Sequence, residues 1–318
     1  MMLNAFTVLM PIFFVLGLGY AAGRMRKFDA DQIEGISLLV MGYAMPAMLF
    51  VATVSTKRKD LMAEVPFLLA LLGAFLGLFL VMFLFSKCVL RQSTGQAALQ
   101  ANLVSCPSVG FIGPPIFRGL FGSDSLVAIA TATVLSVVTL VPLTMVLLEV
   151  HHAREQAQGD ARRALGAVVL ASLGKTFRQP MVLMPLIGVA LVLADVQVPQ
   201  IIDNMLSLIG STTSGASIFL AGLVISAYKI TINGQVIGNA MVKLIGQPLL
   251  MALLVAGLGV SNPLGREGIL ICTIPTAILA PLIAPRYKVY EAESASTLVL
   301  TAVAMIVTMP VAIVLTGA

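Results

Sequence analysis

The chain has 318 residues, of which 59% are apolar and only 10% charged. Soluble domains carry about 25% charged residues, so this balance excludes a soluble globular protein and points to a chain built for a bilayer. Nineteen Lys and Arg stand against 14 Asp and Glu, but the basic residues are scattered at loop ends, which argues against nucleic acid as a partner.

Ten apolar segments follow in chain order, at about residues 5–22, 36–54, 65–86, 97–121, 126–149, 181–194, 201–226, 236–260, 268–285 and 294–316. About 20 residues cross a hydrocarbon core of about 30 Å. The first segment lacks a basic flank before it and is read as a retained span rather than a signal peptide. The sixth is short and is expected to extend back through Phe177. The longest connection, about Val150–Arg178, divides the chain into residues 1–150, a cytoplasmic linker over 151–179, and residues 180–318. The linker opens on His151-His152; that pair could bind a metal, but adjacent His without carboxylate or Cys partners are usually solvated. Cys88, Cys106 and Cys272 make no disulfide framework, and Cys106 and Cys272 read best as small packing residues.

The two parts are related. Pro107 and Pro275 lie 168 residues apart, as do Pro142 and Pro310. The same offset superposes Leu103–Leu148 on Ile271–Thr316 without a gap, bringing Thr133 onto Thr301 and Arg118 onto Arg286. Thirteen Lys and Arg fall at loop ends on one side of the predicted membrane and five on the other, with Lys243 left inside a span. The positive-inside rule puts the larger set in the cytoplasm and both termini outside. Five spans per half then make the second half enter the membrane in the opposite sense. The predicted fold is an all-α polytopic membrane protein with ten transmembrane helices in a 5+5 inverted repeat.

Two of the ten segments are interrupted. Around Pro107 runs Ser105-Cys106-Pro107-Ser108-Val109-Gly110-Phe111-Ile112-Gly113-Pro114-Pro115, which cannot be regular helix. The second break reads Thr273-Ile274-Pro275-Thr276-Ala277. Proline suits the first turn of a helix, so each break is expected to start a half-helix whose free N–H groups and positive end point at mid-membrane. Two such ends would make an anion site. The candidate site is therefore Pro107, Ser108, Val109 and Gly110 with Pro275 and Thr276, Ser108 and Thr276 offering hydroxyl ligands. The plainer alternative is a pair of proline kinks stabilised by nearby hydroxyls; a matched pair of breaks favours the substrate site of a secondary transporter.

Other candidates keep two readings. Lys243, ahead of Gln247-Pro248, could attract an anion or snorkel to the interface. Asn102, one turn before the first break, could be a ligand or satisfy freed carbonyls. Arg118 and Arg286 could draw anions to the two mouths or anchor helix ends. The run Ser211-Thr212-Thr213-Ser214-Gly215 could line a cavity or support close packing. No carboxylate is predicted in mid-span beside a break, which disfavours metal-cation exchange. No nucleotide-binding glycine loop and no catalytic triad are present, so neither an ATP-driven pump nor an enzyme is expected, and no cofactor is implied.

These residues carry a resemblance. Met10-Pro11-Ile12-Phe13 with Leu18-Gly19-Tyr20, Met45-Pro46-Ala47-Met48-Leu49-Phe50, Gly110-Phe111-Ile112-Gly113-Pro114-Pro115 with Leu120-Phe121-Gly122, and Lys243-Leu244 with Pro248 resemble the auxin efflux carrier family, and within it bacterial malonate-permease-like members. The resemblance covers essentially the whole chain. It implies crossed, proline-broken helices 4 and 9 with small organic anions carried at the crossing. It implies a transport bundle of helices 3–5 and 8–10 on a scaffold of helices 1, 2, 6 and 7, a homodimer through that scaffold, and a bacterial cytoplasmic (inner) membrane. One departure stands out: where the family commonly has Asn after the first break, this chain has Ser108, and Thr276 likewise lacks an amide.

The expected function is secondary active transport of a small mono- or dicarboxylate, malonate among the candidates, by alternating access, with the bilayer and a small organic anion as partners. Whether H+ or Na+ is coupled stays open. A sodium-coupled symporter of bulkier amphipathic anions and a non-transporting membrane anion sensor remain the alternatives.

Overall fold

The computed structural model describes residues 2–55, 65–110, 113, 117, 126–156, 178, 180–227 and 230–317. All regular elements among them are helices: α1 (Met2–Arg24), α2 (Ala30–Leu39), α3 (Met45–Val54), α4 (Val65–Leu72), α5 (Leu78–Cys88), α6 (Thr94–Ser105), α7 (Leu126–Gln156), α8 (Pro180–Leu193), α9 (Gln200–Gly210), α10 (Thr212–Ala227), α11 (Gly234–Met241), α12 (Gln247–Leu258), α13 (Leu264–Thr273), α14 (Leu279–Tyr287) and α15 (Glu291–Thr316). Among the described residues six continuous stretches are long and apolar enough to cross a membrane: Ala30–Val54, Val65–Cys88, Thr131–Glu155, Gln200–Ala227, Gly234–Leu258 and Glu291–Thr316. The protein is a polytopic, helical membrane protein.

Helix starts are written in short polar signals. Asp29 accepts the backbone N–H of Gln32, whose side chain returns to the Asp29 N–H, and Ser93 and Gln96 repeat that box at the start of α6. Asn233 caps α11 through the Val236 N–H. Each side chain answers a donor that the first turn leaves unpaired. Pro142 and Pro310, the second matched pair, lie inside the continuous helices α7 and α15. Proline in a helix interior deletes one hydrogen bond, and in a membrane neighbouring groups can restore the balance. At Pro107 and Pro275, in contrast, the helices stop.

Among the described residues three spans contain a single wide turn of π-helix, at Val40–Ala44, Gly73–Gly77 and Val242–Gly246. The latter two start at residues 73 and 242, 169 apart, one residue from the repeat offset. Such turns often mark functional positions, and nothing in the apolar periodicity announces them. The helix α7 also runs on through His151 and His152 to Gln156, past the point where the linker was expected to begin. The remainder of that linker and the extension through Phe177 lie outside the described residues.

Packing falls into two groups of helices. Helix α1 lies against α10, while α3 packs on both α8 and α9. Small residues set these distances. A Cβ on Gly19 would meet the Phe219 carbonyl oxygen at 2.1 Å, one on Gly222 the Leu16 oxygen at 2.3 Å, and one on Gly210 the Met48 backbone nitrogen at 2.9 Å. Glycine at such contacts lets helix backbones approach. In the second group α5 and α7 pack on α6, α12 and α15 on α13, and α11 on α15. The two interrupted segments lie within this second group.

Candidate functional site

Both breaks sit in the interior and touch each other. Helix α6 ends at Ser105 and α13 at Thr273. Beyond them Cys106 and Ile274 take extended backbone, as X-Pro sterics require of the residue before proline. The two extended pieces cross antiparallel, with Pro107 opposite Thr276. The Ser108 N–H donates to the Pro275 carbonyl at 2.9 Å, and the Ala277 N–H to the Cys106 carbonyl at 2.8 Å. Helix resumes at Val109 after the first break and at Leu279 after the second.

Most backbone groups freed by the interruptions can be accounted for, as a buried site demands. The Cys106 N–H donates to Asn102 and the Val109 N–H to Pro107, both at 2.8 Å, and the Ile274 N–H to Ile271 at 3.2 Å. Two helix-end carbonyls are met by one neighbouring span. Gln247 Nε2 donates to the Ser105 carbonyl at 2.7 Å and to the Ala74 carbonyl at 3.1 Å. Lys243 Nζ donates to the Cys272 carbonyl at 3.2 Å and to Gln247 Oε1. The Lys243 ammonium thus sits where α6 and α13 present their negative C-terminal ends.

Lys243 is 0% exposed. It does not snorkel: its ammonium is consumed inside the protein, from a π turn, by a carbonyl and an amide. The amine is thereby held beside the crossing.

Other polar atoms at the crossing are not matched among the described residues. Ser108 is 2% exposed and Thr276 0%, and neither hydroxyl has a hydrogen-bond partner among the described residues. Asn102, also wholly buried, donates from Nδ2 to Thr144 Oγ1 at 2.9 Å while its Oδ1 is unpartnered. Buried polar groups are normally satisfied, so three orphans on the two breaks and the turn before them are a signal. Above the second break the Thr276 N–H reaches Thr301 Oγ1 at 3.4 Å. At the first, a Cβ on Gly110 would lie 3.4 Å from Thr133 Cγ2 and 3.7 Å from Met48 Cε. Thr133 and Thr301, paired by the repeat, each attend one break, and Met48 carries a contact from α3 to the first.

The structure therefore places Pro107, Ser108, Pro275 and Thr276 together, continues into Val109 and Gly110, keeps Asn102 one turn away, and sets Lys243 at the carbonyl side. Arg286 lies exposed at the end of α14; Arg118 lies outside the described residues, as do Phe111, Ile112, Pro114, Pro115 and Leu120-Phe121-Gly122. Of the polar run in the seventh predicted span, Ser211 and Thr212 are exposed, and Thr213 is buried with an unpartnered Oγ1. His151 pairs with Glu155 at 3.3 Å and His152 stacks edge-on against Tyr287; among the described residues no cluster of three or more potential ligands could hold a metal ion.

A family model described as membrane transport protein matches residues 4–313, which take in both breaks and the span of Lys243 and Gln247. The chain belongs to this family, the auxin efflux carriers. It is 28% identical over 305 residues to "Uncharacterized transporter YfdV" of Escherichia coli (strain K12), covering 95% of this chain and 94% of that one. It is 20% identical over 303 residues to "Putative malonate transporter" of Rhizobium meliloti (strain 1021), covering 95% and 92%. A 224-residue match at 23% identity to "Lysosomal cholesterol signaling protein" of mouse covers 69% of this chain and 25% of that protein.

In this auxin efflux carrier relative, sequence inspection had passed over two groups. Gln247 was noted only as a neighbour of Pro248, although it stands four residues after Lys243, the spacing that puts two side chains on one helix face. Gln100 and Asn239 were not singled out. They hydrogen-bond to each other at 2.8 Å, Gln100 accepts from Ser86 at 2.9 Å, and Asn239 donates to Tyr290 and Thr297 at 3.3 Å. This buried amide chain ties α5, α6, α11 and α15 together.

Proposed function

We propose that the protein is a secondary active transporter of small organic anions, a mono- or dicarboxylate such as malonate, bound where the two broken segments cross. One observation carries this reading: Ser108 Oγ and Thr276 Oγ1, on the two residues after the paired prolines, are both buried without a partner among the described residues. A carboxylate is an acceptor, and it would take hydrogen bonds from both hydroxyls. Asn102 Oδ1 is an acceptor too, so a carboxylic acid or a water would suit it better. A protonated Lys243 would favour an anion over a cation at this crossing, acting in a medium of low dielectric.

The same geometry supports the finer architecture. Matched breaks, matched threonines and π turns 169 residues apart agree with ten spans in a 5+5 inverted repeat. The two packing groups agree with a scaffold of helices 1, 2, 6 and 7 and a transport bundle of helices 3–5 and 8–10. In this reading the bundle moves against the scaffold, and the site opens alternately to either face. The membrane is the bacterial inner membrane with both termini outside, and the scaffold makes the homodimer contact.

Thermal unfolding of the purified protein against a panel of carboxylates, with and without sodium, tests this. A ligand specific to the folded state adds about 2.7 kcal/mol at a hundred times its dissociation constant. A malonate-dependent, sodium-independent shift that disappears in Thr276→Val is expected. A shift only with large amphipathic anions, or only with sodium, would replace the proposal by a sodium-coupled carrier of such anions.

A further inference from the structure

A cavity that no residue of the breaks lines carries its own chemistry. It has a volume of about 530 Å3 and is lined by Gly23, Arg24, Arg26, Phe28, Ile33, Leu223, Ser226 and Ala227. It lies where the end of α1, the start of α2 and the end of α10 meet. The chain ends α1 by a left-handed turn at Arg26 (φ 52), held by the Arg26 N–H on Gly23 and the Lys27 N–H on Ala22, both at 3.0 Å. That turn is what allows residues before and after it to line one space.

Two guanidinium groups border this cavity, and neither has an acidic partner: the ion pair found among the described residues is His151–Glu155. The nearby carboxylates are not part of the lining. Asp29 is turned to cap α2, and Asp31 and Glu34 are exposed. Opposite the arginines stand apolar walls, Phe28, Ile33 and Leu223, with Phe28 braced edge-on by Phe219 at 5.6 Å between ring centroids. Gly23 lets the end of α1 approach Ser226 of α10 beside the cavity, since a Cβ there would meet Ser226 Oγ at 1.9 Å. Arginine forks match phosphate oxygens with paired donors, and basic pockets between transmembrane helices are suited to anionic headgroups. Along α1 the exposed residues Phe14 and Leu18 share one helix face.

We propose that this cavity is a binding site for an anionic phospholipid, its phosphate held by Arg24 and Arg26 and its glycerol and first methylenes against Phe28, Ile33 and Leu223. A soluble phosphate would leave the apolar walls unused. The occupant joins α1, α2 and α10, a packing group that does not contain the crossing, and so acts on the assembly without touching the transported anion.

The test is native mass spectrometry of the full-length protein in detergent, titrated with phosphatidylglycerol, phosphatidylcholine or inorganic phosphate, alongside thermal unfolding in each. Retention of phosphatidylglycerol at least tenfold above phosphatidylcholine is expected. Arg24→Gln with Arg26→Gln should reduce it to the phosphatidylcholine level, and Arg24→Lys with Arg26→Lys, which keeps the charge, should restore part of it. Lipid-free melting of both double variants should match the wild type, separating loss of the site from loss of the fold. Equal retention of the two lipids, or an unchanged preference in the Gln variant, would overturn the site. A stabilisation by inorganic phosphate alone, lost in the same variant, would overturn the lipid assignment in favour of a soluble phosphate ligand.

Discussion

The two sides of the crossing differ in a way that composition does not reveal. On the carbonyl side, the Ser105 and Cys272 carbonyls in the last turns of α6 and α13 meet Gln247 and Lys243, and these polar atoms are matched. The Ser108 and Thr276 hydroxyls are as deeply buried and have no partner among the described residues. The same pair of interrupted helices thus has helix-end carbonyls that are matched and hydroxyls that are not, and it is at the hydroxyls that we propose the ligand binds. A pair of simple proline kinks would have no reason to differ in this manner, because each kink would be satisfied locally by its own neighbours.

The sharpest way to break this contrast is at Gln247. Gln247→Leu strips the Ser105 and Ala74 carbonyls and leaves the Lys243 ammonium with one partner, and an orphaned buried group costs about 1–3 kcal/mol. A loss of about 4 kcal/mol in unfolding stability is expected from denaturation in detergent. A loss below about 1 kcal/mol would show that the carbonyl side does not hold the crossing together. The hydroxyl side should behave oppositely. Ser108→Ala and Thr276→Val remove only unpartnered oxygens, so stability should stay within about 1 kcal/mol of wild type or rise. Counterflow of labelled malonate in proteoliposomes should nevertheless fall more than tenfold, which corresponds to about 1.4 kcal/mol. Wild-type transport by both variants would remove the hydroxyls from the site.

Smaller effects refine the boundary between the two sides. Asn102→Leu breaks the bond to Thr144 but also removes an unpartnered Oδ1, so a net cost of about 1 kcal/mol is expected, with transport reduced less than in Thr276→Val. Thr301→Val removes the long contact to the Thr276 N–H at 3.4 Å and should cost about 0.5 kcal/mol by thermal melting. A cost above about 2 kcal/mol there would mean that Thr301 shapes the second break rather than attends it.

Much of this was legible in the sequence, because the features concerned are covalent. A proline has no N–H wherever it is placed, so Pro107 and Pro275 announced interruptions, and their shared offset announced that the interruptions correspond. Ser108, Thr276 and the Thr133–Thr301 match followed from position alone. What could not be read was which group answers which. The partner of the Ser105 carbonyl lies 142 residues away in sequence, and that pairing exists only once α12 packs beside α6. The π turns are hidden for a similar reason: they shift hydrogen-bond register without altering apolar content. Lys243 was ambiguous because a lysine stem fits both lipid-facing and inward directions, and the choice is made by the carbonyl and amide that await it inside.

The pair of backbone hydrogen bonds that joins Ser108 to Pro275 and Ala277 to Cys106 has a mechanical meaning. Two segments tied main chain to main chain cannot slide independently, whatever their side chains do. In a carrier so built, the ligand cradle travels as a rigid piece, and its fit is the same whether the anion arrives from one face of the membrane or the other. Selectivity would then be symmetric, and any preference for uptake or release would have to come from the gradients outside the cradle.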